Sequence, residues 1–62
     1  MSEASKQAGK ETEHSLQVAE EHLTQAERTS KQTGDKSLIK KVAEIKEAVV
    51  ETRKEIKKNL EQ

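Results

Sequence analysis

Two histidines, His14 and His22, are the side chains of this sequence with the widest range of chemistry. On a helix their separation along the chain places them about 12 Å apart, which is too far for one metal ion. Glu11 lies three residues before His14 and could bind a metal with it, but two ligands on an exposed helix make a weak site. The chain has no cysteine, so no thiolate can complete the site. The sequence therefore predicts no metal, no cofactor and no small-molecule substrate.

No catalytic set is complete either. Ser15 follows His14 directly, yet neighbours on a helix point about 100° apart and do not face each other. Two short helices also cannot enclose a pocket that excludes water. The glutamates need no catalytic role, because contact with solvent accounts for their positions on the predicted outer faces of the helices: Glu20, Glu21, Glu27, Glu44, Glu47, Glu51 and Glu55. The protein is therefore predicted not to be an enzyme.

Composition limits the chain to one small helical domain. It has 62 residues, with 12 basic and 12 acidic side chains, no aromatic residue and no proline. Its eleven Leu, Ile and Val residues, at about 2 kcal/mol each when fully buried, fall well short of the cost of ordering the chain. We therefore expect the helices to be stabilised by self-association, as a dimer, or by another helical protein.

Charge and targeting signals favour a cytoplasmic protein. The first six residues lack the basic-then-apolar order of a signal peptide, and no stretch has the length of an apolar membrane span. The net charge of zero gives no general attraction to nucleic acid or to anionic membranes. Nucleic-acid binding stays open as an alternative because six lysines cluster near the two ends of the second predicted helix: Lys36, Lys40, Lys41, Lys54, Lys57 and Lys58.

The first helix is predicted over about residues 11–32, after a flexible polar arm at residues 1–10. Its narrow packing stripe has the spacing of one helix face. Large side chains are few, and the predicted packing residues are Leu16, Ala19, Leu23 and Ala26.

A loop is predicted near residues 32–36. Gly34 suits a left-handed helix end, and Asp35 or Ser37 can cap the second helix, over about 36–60. The packing stripe of this helix is Leu38, Val42, Ile45, Val49, Ile56 and Leu60. The sequence thus predicts an all-α, antiparallel two-helix hairpin, with one continuous helical rod as the alternative.

The second helix has more aliphatic residues than the first can cover. Ile39, Ala43 and Val50 lie on a second band, separated from the main stripe by Lys46 and Arg53. An exposed aliphatic band on a soluble protein often marks a contact surface. We therefore predict an interface at Ile39, Ala43 and Val50, most simply a two-fold contact that forms a four-helix bundle.

Two family resemblances accompany this pattern. The run Ala4–Thr12, with its Ala, Lys, Gln and Gly residues, resembles the eleven-residue repeats of late-embryogenesis-abundant proteins, which would imply a stress or spore protectant. The stretch Leu16–Leu60 is similar in layout to short helical-hairpin proteins of spore-forming Gram-positive bacteria, whose second helix carries Ala, Val and Ile at heptad spacing. That resemblance implies a small intracellular helical protein, with no functional residues to transfer.

Overall fold

Two antiparallel helices joined by a two-residue loop make up the fold. The computed structural model describes residues 2–61, which contain α1 at Glu3–Thr33, α2 at Lys36–Leu60, and no strand. The helices of 31 and 25 residues lie side by side in a rod of 47 × 14 × 11 Å. The predicted hairpin is confirmed, and the alternative of one continuous helix is wrong.

The loop has the chemistry that the sequence predicts. Gly34 ends α1 in the left-handed region, with φ of 70°, and its N–H donates to the Lys31 carbonyl at 3.4 Å. Asp35 then caps α2, since its Oδ1 accepts the Leu38 N–H at 3.1 Å. Glycine adopts this backbone conformation without a Cβ clash, and aspartate satisfies a free N–H of the first turn. The chain therefore reverses within two residues.

The first helix begins at Glu3 rather than at Glu11. The Ser2 hydroxyl caps it by accepting the Ser5 N–H at 3.1 Å. The segment predicted as an arm is therefore helical from Glu3 onward, and Met1 lies outside the described residues. Gly9 packs beside the end of α2, where an added Cβ would lie 3.0 Å from Leu60 Cδ2. The start of α1 is thus part of the hairpin.

The two helices meet along a seam that follows a heptad spacing on each helix. The seam contains Gly9, Glu13, Leu16, Glu20, Leu23, Glu27 and Ser30 of α1, and Ile39, Val42, Lys46, Val49, Arg53, Ile56 and Leu60 of α2. Ser30, at 5% exposure, is buried, and the other seam residues are half-buried. No hydrophobic side chain of residues 2–61 is fully buried. The two helices therefore contact each other along a row of partly exposed residues rather than around a buried core.

The seam of α2 differs from the predicted stripe at alternate positions, where the next residue along the chain faces α1 instead. Leu38 and Ile45, predicted to pack between the helices, are 41% and 53% exposed. Ile39 and Lys46 face α1 in their place, followed by Arg53. Lys46 and Arg53 each form an ion pair with glutamate across the seam. The other predicted packing residues are half-buried: Leu16, Ala19, Leu23, Ala26, Val42, Val49, Ile56 and Leu60.

Candidate interaction surface

Arg53 is the most connected side chain of the seam. Its Nε donates to Glu13 Oε1 at 2.8 Å, and its Nη1 donates to Glu20 Oε1 at 2.9 Å. A planar guanidinium with several fixed donors can hold two carboxylates at once, which a lysine ammonium does less well. The Arg53 side chain is 16% exposed, so much of this network is shielded from water. Arg53 therefore fixes how far α1 and α2 slide along each other.

The same network shifts the ionisation of Arg53. The hydrogen bonds that Arg53 donates to Glu13 and then to Glu20 raise the pKa of the guanidinium above its usual value, against a smaller opposing effect of desolvation. Arginine is already charged throughout the ordinary pH range, and the shift keeps it so. Arg53 is thus a permanent cation in the seam, with no role in proton transfer.

A second ion pair lies nearer the loop. Lys46 Nζ is 2.9 Å from Glu27 Oε1, and both side chains are less than one-third exposed. At the other end, Lys57 Nζ approaches Glu13 Oε1 at 3.8 Å. The described ion pairs between the helices thus place acidic residues on α1 and basic residues on α2.

Sequence reasoning missed the role of these carboxylates by assigning Glu20 and Glu27 to solvent faces. A signal for them exists in the spacing. Glu20 and Glu27 are seven residues apart, and so are Lys46 and Arg53. In an antiparallel hairpin this equal spacing lets Lys46 pair with Glu27 and Arg53 pair with Glu20 in one alignment of the helices.

Residues seven apart on a helix form a column along one face of it. On one side of the hairpin these columns contain no charged residue, and we name it the uncharged side. Its columns on α1 are Ser5, Thr12, Ala19, Ala26 and Thr33, and Ala8, Ser15, His22 and Thr29. On α2 they are Leu38, Ile45, Thr52 and Asn59, and Val42, Val49 and Ile56. None of these positions holds Asp, Glu, Lys or Arg, although 39% of the chain is charged. The absence of charge along the whole rod makes this side a candidate contact surface.

A groove on the uncharged side runs between the helices near the loop. It has a volume of about 280 Å³ and is lined by Ala26, Thr29, Ser30, Thr33, Leu38 and Val42. Small residues form its α1 wall, and larger aliphatic residues form its α2 wall. The two most exposed large aliphatic residues of α2, Leu38 and Ile45, therefore lie on this side.

The residues predicted as an interface lie toward the opposite side, which we name the charged side. Its columns are Lys6, Glu13, Glu20 and Glu27 of α1, and Lys36, Ala43, Val50 and Lys57 of α2. Ala43 is exposed, whereas Ile39 and Val50 are already half-buried within the hairpin. An interface at Ile39, Ala43 and Val50 stays a prediction, and its neighbours are charged.

The residues considered for chemistry do not converge. His14, His22 and Ser15 are exposed on α1, and Asp35 is engaged as the cap of α2. Within residues 2–61, no three side chains of the metal-binding types come together.

Neither described helix has an apolar stretch of the length needed to cross a membrane. Comparison of the chain with protein-family models, curated proteins and solved structures finds no match.

Proposed function

We propose that this protein is a small cytoplasmic, non-enzymatic interaction module that self-associates into a four-helix bundle of coiled-coil type. The observation that carries the proposal is the absence of any fully buried hydrophobic side chain in residues 2–61. The hydrophobic effect is the main driving force for folding, and this hairpin buries little of the apolar surface on which that force depends. A second pair of helices provides the missing apolar contact.

The exposed area supports the same proposal. The chain exposes 4826 Å². A compact monomer of 7.0 kDa exposes about 4,000 Å² by the usual scaling of area with mass, so the hairpin has an excess of about 800 Å². A standard protein interface buries about 800 Å² on each partner. Pairing two hairpins would therefore bring the exposed area of each close to that of an ordinary small protein.

The seam itself cannot replace a core. Arg53 and Lys46 occupy positions that apolar residues would fill in a stable two-helix contact, and half-buried ion pairs add little net stability after desolvation. Their contribution is to select the alignment of α1 with α2. Stability must then come from elsewhere, and association supplies it.

The test measures mass and helicity together. Sedimentation equilibrium and circular dichroism of the wild-type chain are recorded over a hundredfold dilution series at one temperature. We expect a dimer mass at high concentration, and a joint loss of mass and helicity on dilution. A monomer mass at every concentration overturns the proposal, whether the monomer is helical or unfolded.

A further inference from the structure

We infer that a second copy of this chain docks on the uncharged side, with the two-fold axis parallel to the helices and both loops at the same end. This inference rests on the proposed self-association and identifies its surface and geometry. Leu38 and Ile45 are the exposed aliphatic residues that the contact would cover. It differs from the sequence-based prediction, which places the interface at Ile39, Ala43 and Val50.

Charge selects the uncharged side. A two-fold contact brings a surface against a copy of itself, so any charge near the axis meets its own equivalent. The columns of the charged side contain ionised side chains on both helices, among them Lys6 of α1 and Lys36 and Lys57 of α2, and a contact on that side would have to remove them from water. The columns of the uncharged side contain no Asp, Glu, Lys or Arg. Two copies can therefore meet there without like-charge repulsion.

The unequal sizes of the two helix edges select the direction of the axis. In the columns that flank the seam, the α1 edge of the uncharged side has the small residues Ala19 and Ala26, and the α2 edge has the large residues Leu38 and Ile45. An axis parallel to the helices places the α2 edge of each copy on the α1 edge of the other. An axis across the helices would instead pair large with large and small with small. Large-on-small contacts keep all four helices at the uniform spacing of a packed bundle.

The level of Ile45 fits this arrangement. The neighbouring Lys46 pairs with Glu27, so Ile45 lies within one helical turn of the level of Ala26 along the rod. With both loops at one end, Ile45 of one copy lies close to the Ala26 end of the groove in the other copy. The groove of about 280 Å³ then receives an aliphatic side chain instead of water.

Two charge substitutions on α2 test the surface. Ile45→Glu and Ala43→Glu each place one carboxylate at an exposed position, two residues apart in sequence and on opposite sides of the hairpin. Ile45→Glu should weaken dimerisation at least tenfold in sedimentation equilibrium, because it buries an unpaired charge at the contact. Ala43→Glu should keep the wild-type dimer mass. Thr52→Glu, in the same column as Ile45, provides a second test if Ile45→Glu does not become helical at high concentration.

A spin label tests the axis. The chain has no cysteine, so Ser37→Cys provides one labelling site beside the loop. With helices 8–10 Å apart, two labels at one end of the bundle should lie within about 30 Å of each other. Labels at opposite ends would be separated by most of the 47 Å length of the rod. A long distance overturns the proposed axis.

The outcomes separate the inference from the proposed function. A wild-type chain that is monomeric throughout overturns both. A wild-type dimer that survives both Ile45→Glu and Thr52→Glu overturns the docking surface and leaves self-association in place. If Ala43→Glu disrupts the dimer and Ile45→Glu does not, the contact lies instead at the predicted interface of Ile39, Ala43 and Val50.

Discussion

Arg53 and Glu13 lie forty residues apart in sequence, yet the guanidinium Nη2 is 2.7 Å from the carboxylate Oε1. The same side chain also holds Glu20, so one cation aligns two turns of α1 with one turn of α2. This contact, rather than an apolar one, occupies the middle of the seam.

Arg53→Lys should lower the melting temperature although it preserves the charge. A single ammonium cannot hold Glu13 and Glu20 with the geometry of a guanidinium, so one carboxylate loses its partner while still half-buried. The converse substitution, Lys54→Arg, is the matched control, because Lys54 is 71% exposed and its described ion pair is with Glu51 of the same helix. Thermal denaturation at one fixed protein concentration compares the two, and equal effects would contradict a special role for Arg53.

Alkaline pH should increase the difference in stability between the wild type and Arg53→Lys. The glutamates raise the pKa of Arg53, so the stability from its charge is complete below its unfolded-state pKa and is lost only as pH rises through the still higher folded-state pKa. A lysine at this position would lose its charge at about pH 10.4 or somewhat above. Denaturation followed from about pH 8 to about pH 11 should therefore show a growing gap between the two proteins. A difference in stability that stays constant with pH would contradict a stabilising role for the charge at position 53.

Reversing the Lys46–Glu27 pair tests whether charge sets the alignment of the helices. Lys46→Glu and Glu27→Lys alone should each destabilise the hairpin, because like charges then meet across the seam. The double variant should recover about 0.5–1 kcal/mol of coupling free energy in a double-mutant cycle. Denaturant unfolding at matched protein concentration measures it. Additive effects of the two substitutions would show that the pair contributes no coupling.

The two glycines should respond to alanine in opposite directions. Gly34→Ala places a Cβ in the left-handed region, which should cost about 1 kcal/mol and lower the melting temperature by about 4–8 °C. Gly9→Ala lies within α1, where alanine favours the helix by up to about 1 kcal/mol. The new Cβ would lie 3.0 Å from Leu60 Cδ2, but Leu60 is the last residue of α2 and its side chain can rotate away. We expect a small net stabilisation for Gly9→Ala, and destabilisation would mean that Leu60 is held in place.

The cap of α2 gives a further matched pair. Asp35→Ala removes the acceptor of the Leu38 N–H and should cost about 1 kcal/mol. Ser37→Ala changes an exposed residue of the first turn whose side chain forms no hydrogen bond among the described contacts, so its effect should be close to zero. Thermal denaturation distinguishes them. Comparable losses would argue against Asp35 as the dominant cap.

Sequence reasoning succeeded where the chemistry is local. Gly34 and Asp35 signal the turn through backbone preference and side-chain capping, and both depend on residues within a few positions of each other. The hairpin follows from that turn and from the helical spacing of the aliphatic residues. Ser2 is a good capping residue too, but the polar composition around it gives no apolar stripe that would extend α1 to Glu3.

The alignment of the helices was harder to predict because hydrophobic spacing alone does not determine it. Leu38 and Ile45 have the larger apolar side chains, so a stripe drawn by hydrophobicity passes through them. Lys46 and Arg53 face inward in the structure, where their described ion pairs are with glutamates of α1. Which distant residues pair depends on the contact between both helices. The hydrophobic pattern of one helix does not contain that information.

The sequence separation of the ion pairs has a consequence for the order in which the hairpin closes. Lys46 and Glu27 are 19 residues apart, whereas Arg53 is 33 residues from Glu20 and 40 from Glu13. Loop closure costs about 0.6 kcal/mol more for each doubling of length, so the pair nearest the turn forms at the lowest entropic cost. We expect the helices to zip from the loop and to fray from the Gly9 and Leu60 end, with amide exchange slowest near Glu27 and Lys46. Uniform exchange along both helices would instead indicate that the hairpin opens all at once.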